Sequence, residues 1–255
     1  MNIDVLHRRV LEDVGCIYPA LQDILPAIMP RAYVQHKVNV SAFVKRLNRI
    51  TQPLEIHNYV LRTERVPKET VKFTGLWLPE SELPWKRSRA DVRIEWNLHP
   101  TSNRLAFTYK SWRQFRFGYW GYLMHELVHR HQNIQQEIRN VRDTRSFRPE
   151  SAVDSIREEQ EYLGSYDEIE AYAHDVALEM VLLSPSTSFT KALSVMQQQS
   201  IECATSYNVF TQSFANVPEH PAMKVFMRKV HEWFDLVKSQ QSFYCLLELE
   251  ASWIA

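Results

Sequence analysis

One proline-free stretch of the sequence constrains the fold more than any other. It runs from Ser111 to about Asn140, and apolar residues surround the pentapeptide His-Glu-Leu-Val-His at positions 125–129. Ser111 and Gln114 have the spacing of a capping box, which predicts that a helix begins here. A helix that is apolar on most of its sides is usually buried. The stretch therefore predicts one long helix in the core of the protein.

The pentapeptide places three chemically active side chains within one helical turn. Positions four apart lie on the same face of a helix, so His125 and His129 can both reach one metal ion. Glu126 lies about 100° further around the helix axis, where its carboxylate can contact a water molecule bound to that metal. The arrangement supplies two ligands and a general base for metal-dependent hydrolysis. Because so short a motif also arises by chance, the prediction needs a third ligand elsewhere in the chain.

Two glutamates in the segment 165–174 are candidates for the third ligand. Ser165 and Glu168 form a second capping box, which predicts a helix from Ser165 to about Val181 and assigns the Glu168 carboxylate to the cap. Glu170 then lies beside a stripe of small apolar residues, where a carboxylate is costly unless it is paired or bound to a metal. We therefore expect Glu170 as the ligand in preference to Glu168. A solvated carboxylate at the edge of the stripe is the alternative.

Several other side chains near these motifs have more than one expected role. A tetrahedral oxyanion needs a stabilising group besides the metal, and Tyr166, Tyr172 and His174 are the candidates. His174 can equally support a ligand or be a core histidine. His131 points away from the face that His125 and His129 share, so it is not expected to bind the metal. The remaining histidines have no metal-ligand spacing: His7, His36, His57, His99, His220 and His231.

Together these motifs resemble a known family. The set His125, Glu126 and His129 with a later glutamate looks like the gluzincin branch of the zincin metallopeptidases, in which the third zinc ligand is a glutamate. The segment 167–173 is also similar to the second motif of small zincin-like proteins of phage and bacteria. The resemblance covers about residues 90–183. The chain departs from the family in its longer interval between His129 and the ligand glutamate, and in having His174 where an aspartate is common.

The resemblance implies a zinc-dependent peptidase that cleaves peptide bonds in a protein or peptide substrate. Zn²⁺ held by His125, His129 and Glu170 would lower the pKa of a bound water towards about 7. Glu126 would accept the proton of this water and deliver it to the leaving amine. One alternative is a catalytically silent zincin-like interaction protein that acts on a host or partner protein. Another is a metal hydrolase that acts on a different amide.

Alternating polar and apolar residues predict a small sheet in front of the metal helix. Residues 91–98 alternate over their whole length, as in a half-buried strand. Residues 104–109 follow a turn at 99–103 and predict the second strand of a hairpin. Shorter strands are expected around Val60 and around Phe73. In the zincin fold an exposed strand beside the metal pairs with the extended substrate, and either hairpin strand could have this role.

The rest of the chain predicts mainly helices. Apolar residues at helical spacing cover residues 3–29, 41–49, 189–207, 223–237 and 243–253. The strongly polar segment 133–162 predicts a solvated excursion. We expect a predominantly helical α+β protein with a small antiparallel sheet. It would form a single zincin-like domain over residues 1–255, with a core at about 55–183 and helical extensions at 1–54 and 184–255.

Composition points to the cytoplasm. Thirty basic and thirty acidic residues give no formal net charge, so nucleic acid and anionic membranes are not expected as partners. No stretch approaches the roughly 20 apolar residues that span a bilayer, and residues 1–9 lack the apolar region of a secretory signal. Cys16, Cys203 and Cys245 are odd in number and widely spaced, which predicts reduced, buried thiols.

Overall fold

The computed structural model describes residues 2–26, 29–31, 37–68, 70–78, 91–140, 143–184, 187–198, 205–215 and 219–240. These ranges contain eight α-helices and five strands. The helices are α1 (Ile3–Gln22), α2 (Val40–Thr51), α3 (Tyr109–Arg139), α4 (Asp154–Leu163), α5 (Tyr166–Leu183), α6 (Phe189–Gln198), α7 (Thr205–Ser213) and α8 (Pro221–Ser239). The strands are β1 (Val38–Asn39), β2 (Ile56–Arg62), β3 (Val71–Leu78), β4 (Asp91–Leu98) and β5 (Arg104–Leu105). The predominantly helical α+β class is confirmed, whereas the zincin-like core remains a prediction.

Most of the expected helices are present, with different ends. The N-terminal helix ends at Gln22, and the expected helix 189–207 is divided between α6 and α7. The polar segment 133–162 contains α4, which the expectation of a solvated excursion did not include. The apolar stretch 243–253 lies outside the described residues.

The sheet is mixed, which corrects the expectation of an antiparallel sheet. Its order is β2-β4-β3, with β2 parallel and β3 antiparallel to β4. The predicted hairpin between residues 91–98 and 104–109 is also wrong, because β5 pairs with β1 through Val38 and Leu105. The physical reason is that β4 is the central strand. Both of its edges are occupied by other strands, so it offers no hydrogen-bonding edge to β5.

The long helix α3 begins two residues earlier than expected. The backbone amide of Ser111 donates to Thr108 Oγ1 at 3.1 Å, and the amide of Thr108 donates to Ser111 Oγ at 2.8 Å. These reciprocal bonds satisfy amides that lack a partner within the first helical turn. Thr108 therefore caps the helix, and Ser111 belongs to its first turn.

The chain divides into two compact units, and the division falls inside α3. The first unit is formed by residues 6–131, and the second by residues 132–255 together with 1–5. This division differs from the expected core at 55–183 with its two extensions. The single-domain arrangement remains a prediction.

In the first unit, an aromatic cluster joins the sheet to α3. Trp96 of β4 and Phe73 of β3 contact each other at 5.1 Å between ring centroids, and both contact Phe115 of α3, at 5.3 and 5.4 Å. Phe73 also lies 6.0 Å from Tyr119, one turn further along α3. Edge-to-face aromatic pairs of this kind contribute about 0.5–1.5 kcal/mol beyond the burial of their area. The cluster holds the sheet against the part of α3 that precedes the pentapeptide 125–129.

In the second unit, α5 packs against α8. The side chains of α5 from Ile169 to Leu182 are almost all buried, and so is the apolar face of α8 at Phe226, Val230 and Trp233. This packing explains why α5 is apolar around most of its circumference. It also means that the polar residues of α5 have to find partners inside the unit.

Two further observations concern membrane-spanning helices and the cysteines. No helix among the described residues is long and apolar enough to cross a membrane. Cys16 is free and exposed, so the prediction of a buried thiol is wrong at this position. Cys203 and Cys245 lie outside the described residues.

Candidate metal centre

Helix α3 brings the two imidazoles of the motif together. His125 Nε2 and His129 Nε2 are 3.2 Å apart, and His125 is buried. Two nitrogen ligands at 2.0–2.1 Å from a tetrahedral zinc ion would be about 3.3–3.4 Å apart. The observed separation is also possible for an N–H···N hydrogen bond between two neutral rings. The spacing of the histidines therefore fits a metal ion without any change in α3.

A carboxylate oxygen of Glu168 completes a possible ligand set. One oxygen of Glu168 and one nitrogen each of His125 and His129 all lie within 4.8 Å of one another. Among the described residues, this is the group of histidine and acidic side chains that could hold a metal ion. Imidazole nitrogens and a carboxylate oxygen are ligands that zinc accepts in proteins.

The first turn of α5 is fixed beside the last turns of α3 by two glutamines. Gln132 Nε2 donates to the backbone carbonyl of Asp167 at 3.0 Å. One turn later, Gln136 Nε2 is 3.0 Å from both carboxylate oxygens of Asp167. These residues belong to one compact unit, and α3 continues unbroken from Gln132 back to His129. Neither glutamine was singled out from the sequence, although their spacing of four places them on one face of the helix.

Glu168 does not act as the cap that the sequence predicts. The side chain of Ser165 accepts a hydrogen bond from the Glu168 amide at 3.3 Å, so Ser165 is the expected N-cap. In a capping box, the backbone amide of Ser165 would also donate a hydrogen bond to the Glu168 carboxylate. That amide donates instead to the backbone carbonyl of Tyr162 at 3.2 Å. The reason for ranking Glu168 below Glu170 therefore does not hold.

The structure places the Glu170 side chain among other partners, and its role as third ligand stays a prediction. Glu170 Oε1 accepts a hydrogen bond from Trp233 Nε1 at 2.8 Å, and Oε2 pairs with Lys229 Nζ at 3.2 Å. Glu168 and Glu170 are two residues apart, which separates them by about 200° around the helix axis. The bonds of Glu170 to Trp233 and Lys229 show that Glu170 faces α8.

The partners of Glu170 are those of a buried ion pair. Burial raises the pKa of Glu170 more than Lys229 and Trp233 lower it. Burial alone would lower the pKa of Lys229, but Glu232 and Glu170 together raise it. Lys229 Nζ lies 2.8 Å from Glu232 Oε2, so the lysine has two acidic partners. This cluster provides partners for the Glu170 carboxylate and the Lys229 ammonium group between α5 and α8.

Glu126 is buried beside strand β3. Its side chain is 4% exposed and lies against Gly75 of β3. A Cβ atom built on Gly75 would be 2.7 Å from both Cγ and Cδ of Glu126. Gly75 was not singled out from the sequence, yet an isolated glycine within a strand often marks a close approach of other atoms. The strand β3 is an edge of the sheet, since no described strand pairs with its outer side.

The three candidates for oxyanion stabilisation have contacts elsewhere on the second unit. The Tyr166 ring lies under the Arg145 guanidinium, 4.0 Å from the ring centroid, and stacks on Phe147 at 5.4 Å. The Tyr172 ring is 6.0 Å from Phe210. His174 is fully buried, with its ring 4.9 Å from that of Trp233. A catalytic role for any of the three stays a prediction.

His131 connects α3 to α1. Its Nε2 atom lies 2.9 Å from Asp13 Oδ2, and the neighbouring Arg130 donates to the backbone carbonyl of Leu54 at 2.7 Å. His131 is not part of the group that could hold a metal. These contacts agree with the expectation that His131 points away from His125 and His129.

A second buried acid on α5 lies near the start of α7. Glu179 Oε1 accepts a hydrogen bond from the backbone amide of Ser206 at 3.1 Å. Burial raises the pKa of Glu179 to about 8, the Ser206 amide opposes this rise, and Asp175 adds to it. Glu179 therefore binds a proton in the folded chain at pH values where an exposed glutamate has lost it.

We expect Glu179 to make the folded state less stable as the pH rises. Between about pH 5 and 8 the folded chain holds a proton at Glu179 that the unfolded chain has released. The contribution of Glu179 to the free energy of unfolding should therefore fall by up to about 1.4 kcal/mol per pH unit. Above about pH 8 both states are deprotonated and the decrease ends. Urea denaturation of the wild type and of Glu179→Gln at pH 5 to 9 measures this difference, and parallel curves for the two proteins would contradict it.

Comparisons with known proteins provide no relative. No family model, curated protein or solved structure matches the chain. The described residues form a predominantly helical α+β protein with a group of two histidines and one glutamate that could hold a metal ion.

Proposed function

We propose that this protein is a zinc-dependent metallopeptidase with His125, His129 and Glu168 as ligands and Glu126 as general base. The observation that carries the proposal is the convergence of three donor atoms within 4.8 Å of one another. The residue that follows His125 in the motif is a buried glutamate. Sites that bind a metal only for structural purposes have four protein ligands, whereas catalytic zinc sites have three and leave a position for water.

The chemistry of the donor set favours zinc. Nitrogen and oxygen donors of this kind suit a divalent ion of borderline softness, and calcium or magnesium would prefer oxygen donors alone. When bound, zinc would polarise the carbonyl group of the substrate and lower the pKa of a bound water molecule. The chain contributes the orientation of both imidazoles along α3 and the placement of Glu168 through Asp167 and its two glutamine partners.

Glu126 is the group that would move the proton. A carboxylate accepts the proton of the attacking water and returns it to the leaving amine, which is the work of a general base and then a general acid. Its burial beside β3 restricts its side chain to few conformations. Because the base is already held in place, less entropy is lost when the reactive geometry is reached.

The edge strand β3 favours a peptide as substrate. An extended peptide can add to an exposed sheet edge through backbone hydrogen bonds, which any peptide can form. β3 is such an edge within the described part of the sheet, and Gly75 of this strand touches Glu126. The expected substrate-binding strand was one of residues 91–98 and 104–109. We now assign this role to β3, because β4 is central and β5 belongs to another sheet.

Metal removal tests the proposal. We expect purified protein to carry about one zinc ion per chain and to cleave an unfolded protein such as reduced casein. Treatment with 1,10-phenanthroline should abolish cleavage, and added Zn²⁺ should restore it while Mg²⁺ should not. Zinc at 100 times its dissociation constant should also raise the free energy of unfolding by about 2.7 kcal/mol.

The same experiment separates the alternative functions. A protein that binds zinc and gains stability, but cleaves neither casein nor a mixed peptide library, would fit the catalytically silent interaction protein. Hydrolysis of small non-peptide amides without peptide cleavage would fit another metal hydrolase. Failure to bind zinc would contradict all zinc-dependent functions at this site.

A further inference from the structure

We propose that Gly75 is a positioning residue for Glu126, because only a residue without a side chain leaves room for the Glu126 carboxylate beside β3. The proposal rests on the proposed function where it concerns catalysis. The contact between Gly75 and Glu126 involves only atoms of the protein, so it can be tested without metal or substrate. Gly75 lies 51 positions before Glu126 in the numbering and on another element, so no local motif links the two residues.

The space beside Gly75 is filled by Glu126. A Cβ atom at position 75 would lie 2.7 Å from Cγ and from Cδ of Glu126, and closer still to Oε1. Real Cβ atoms essentially never approach other heavy atoms to less than 3.0 Å. Any other residue at position 75 therefore requires either β3 or the Glu126 side chain to move.

Strand β3 is held too firmly to move. Gly75 is paired with Ile94 of β4, and its neighbours Thr74 and Leu76 continue the same ladder. Phe73 lies on the same face of β3 as Gly75, because side chains alternate along a strand. Phe73 is part of the aromatic cluster that joins the sheet to α3. A substitution at position 75 should therefore displace Glu126 rather than β3.

The need for glycine at position 75 is a need for space. Gly75 does not have a positive φ angle, so alanine can adopt its backbone conformation without strain. Nor can the Glu126 side chain turn freely into solvent, since it is 4% exposed. The absence of a Cβ atom at Gly75 thus sets where the carboxylate of Glu126 lies.

A double-mutant cycle in metal-free protein tests the packing. Gly75→Ala should lower Tm by several degrees in the wild-type background. In the Glu126→Ala background the same change should have little effect, because that variant lacks the Cγ, Cδ and Oε1 atoms. If Gly75→Ala alone does not fold, the double variant should. Gly15→Ala is the matched control, because a Cβ atom there meets no heavy atom within 4 Å. Its shift in Tm should be the same in both backgrounds.

Equal shifts in Tm for Gly75→Ala in both backgrounds would overturn the proposal. Unequal shifts establish that the two residues share this space, whether or not the protein cleaves peptides. Failure of the proposed function and failure of the Gly75 proposal are therefore distinguishable.

Metal binding and catalysis test the positioning role itself. Gly75→Ala should bind Zn²⁺ with an affinity close to that of the wild type, since no ligand is touched. Its kcat should fall by about 10²-fold or more at unchanged KM, because the base is displaced. The cobalt-substituted protein gives a readout without substrate: Gly75→Ala and Glu126→Gln should both alter the visible absorption of bound Co²⁺, whereas Gly15→Ala should not. A wild-type spectrum or a wild-type kcat for Gly75→Ala would overturn the positioning role.

Discussion

Glu126→Gln should lower kcat for peptide cleavage by about 10²–10⁴-fold while the zinc content stays at the wild-type level. Glutamine has the size of glutamate and fits the same space beside Gly75, but it cannot accept a proton. The loss should therefore appear in kcat, with the unfolding free energy little changed. Initial rates on a fluorogenic peptide, together with zinc measured by mass spectrometry on the same samples, provide the test.

A matched control for Glu126→Gln is Glu179→Gln. Glu179 is also a buried glutamate, and Glu179→Gln makes the same replacement of a carboxyl group by an amide on helix α5. Its kcat should remain that of the wild type. A Glu126→Gln protein that cleaves at the wild-type rate would remove the base assignment, whatever the metal content.

Glu168→Gln should weaken zinc binding, whereas Glu170→Gln should lower the stability of the protein and leave zinc binding almost unchanged. Glu168→Gln removes a proposed ligand, so the zinc affinity should fall by at least about 100-fold, the upper range for residues that merely support a ligand. Glu170→Gln should leave the affinity within about twofold of the wild type. It should lower the free energy of unfolding by about 1–3 kcal/mol, because Lys229 keeps only Glu232 as an acidic partner.

Competition with a chromophoric chelator measures the zinc affinity of both variants, and urea denaturation of the metal-free proteins measures their stability. The two substitutions remove the same charge from positions two residues apart on one helix, so each serves as the control for the other. If Glu170→Gln loses zinc and Glu168→Gln keeps it, the ligand assignment returns to Glu170. If both variants keep zinc, the two histidines have a different partner or none.

Elements whose signal is local were predicted well from the sequence. Helix α3, the N-cap at Ser165 and strand β4 all follow from residues within a few positions of one another. The N-cap of α3 was placed three residues late because Thr108 and Ser111 both have hydroxyl groups that can cap a helix. The errors in the sheet are of another kind: whether β4 pairs with residues 104–109 depends on strands far away in the chain. Strand pairing cannot be read from an alternating pattern alone, since the pattern is the same for every partner.

The amino-acid sequence by itself determined that His125 and His129 share a face of one helix, because positions four apart are neighbours on any α-helix. It also placed two glutamates at the start of a second helix. Only the tertiary structure decided which of them faces the imidazoles. The rotation of α5 about its own axis depends on the bonds of Asp167 to Gln132 and Gln136, and on those of Glu170 to Trp233 and Lys229. These partners are far from α5 in sequence, so no local pattern contains the information that selects Glu168.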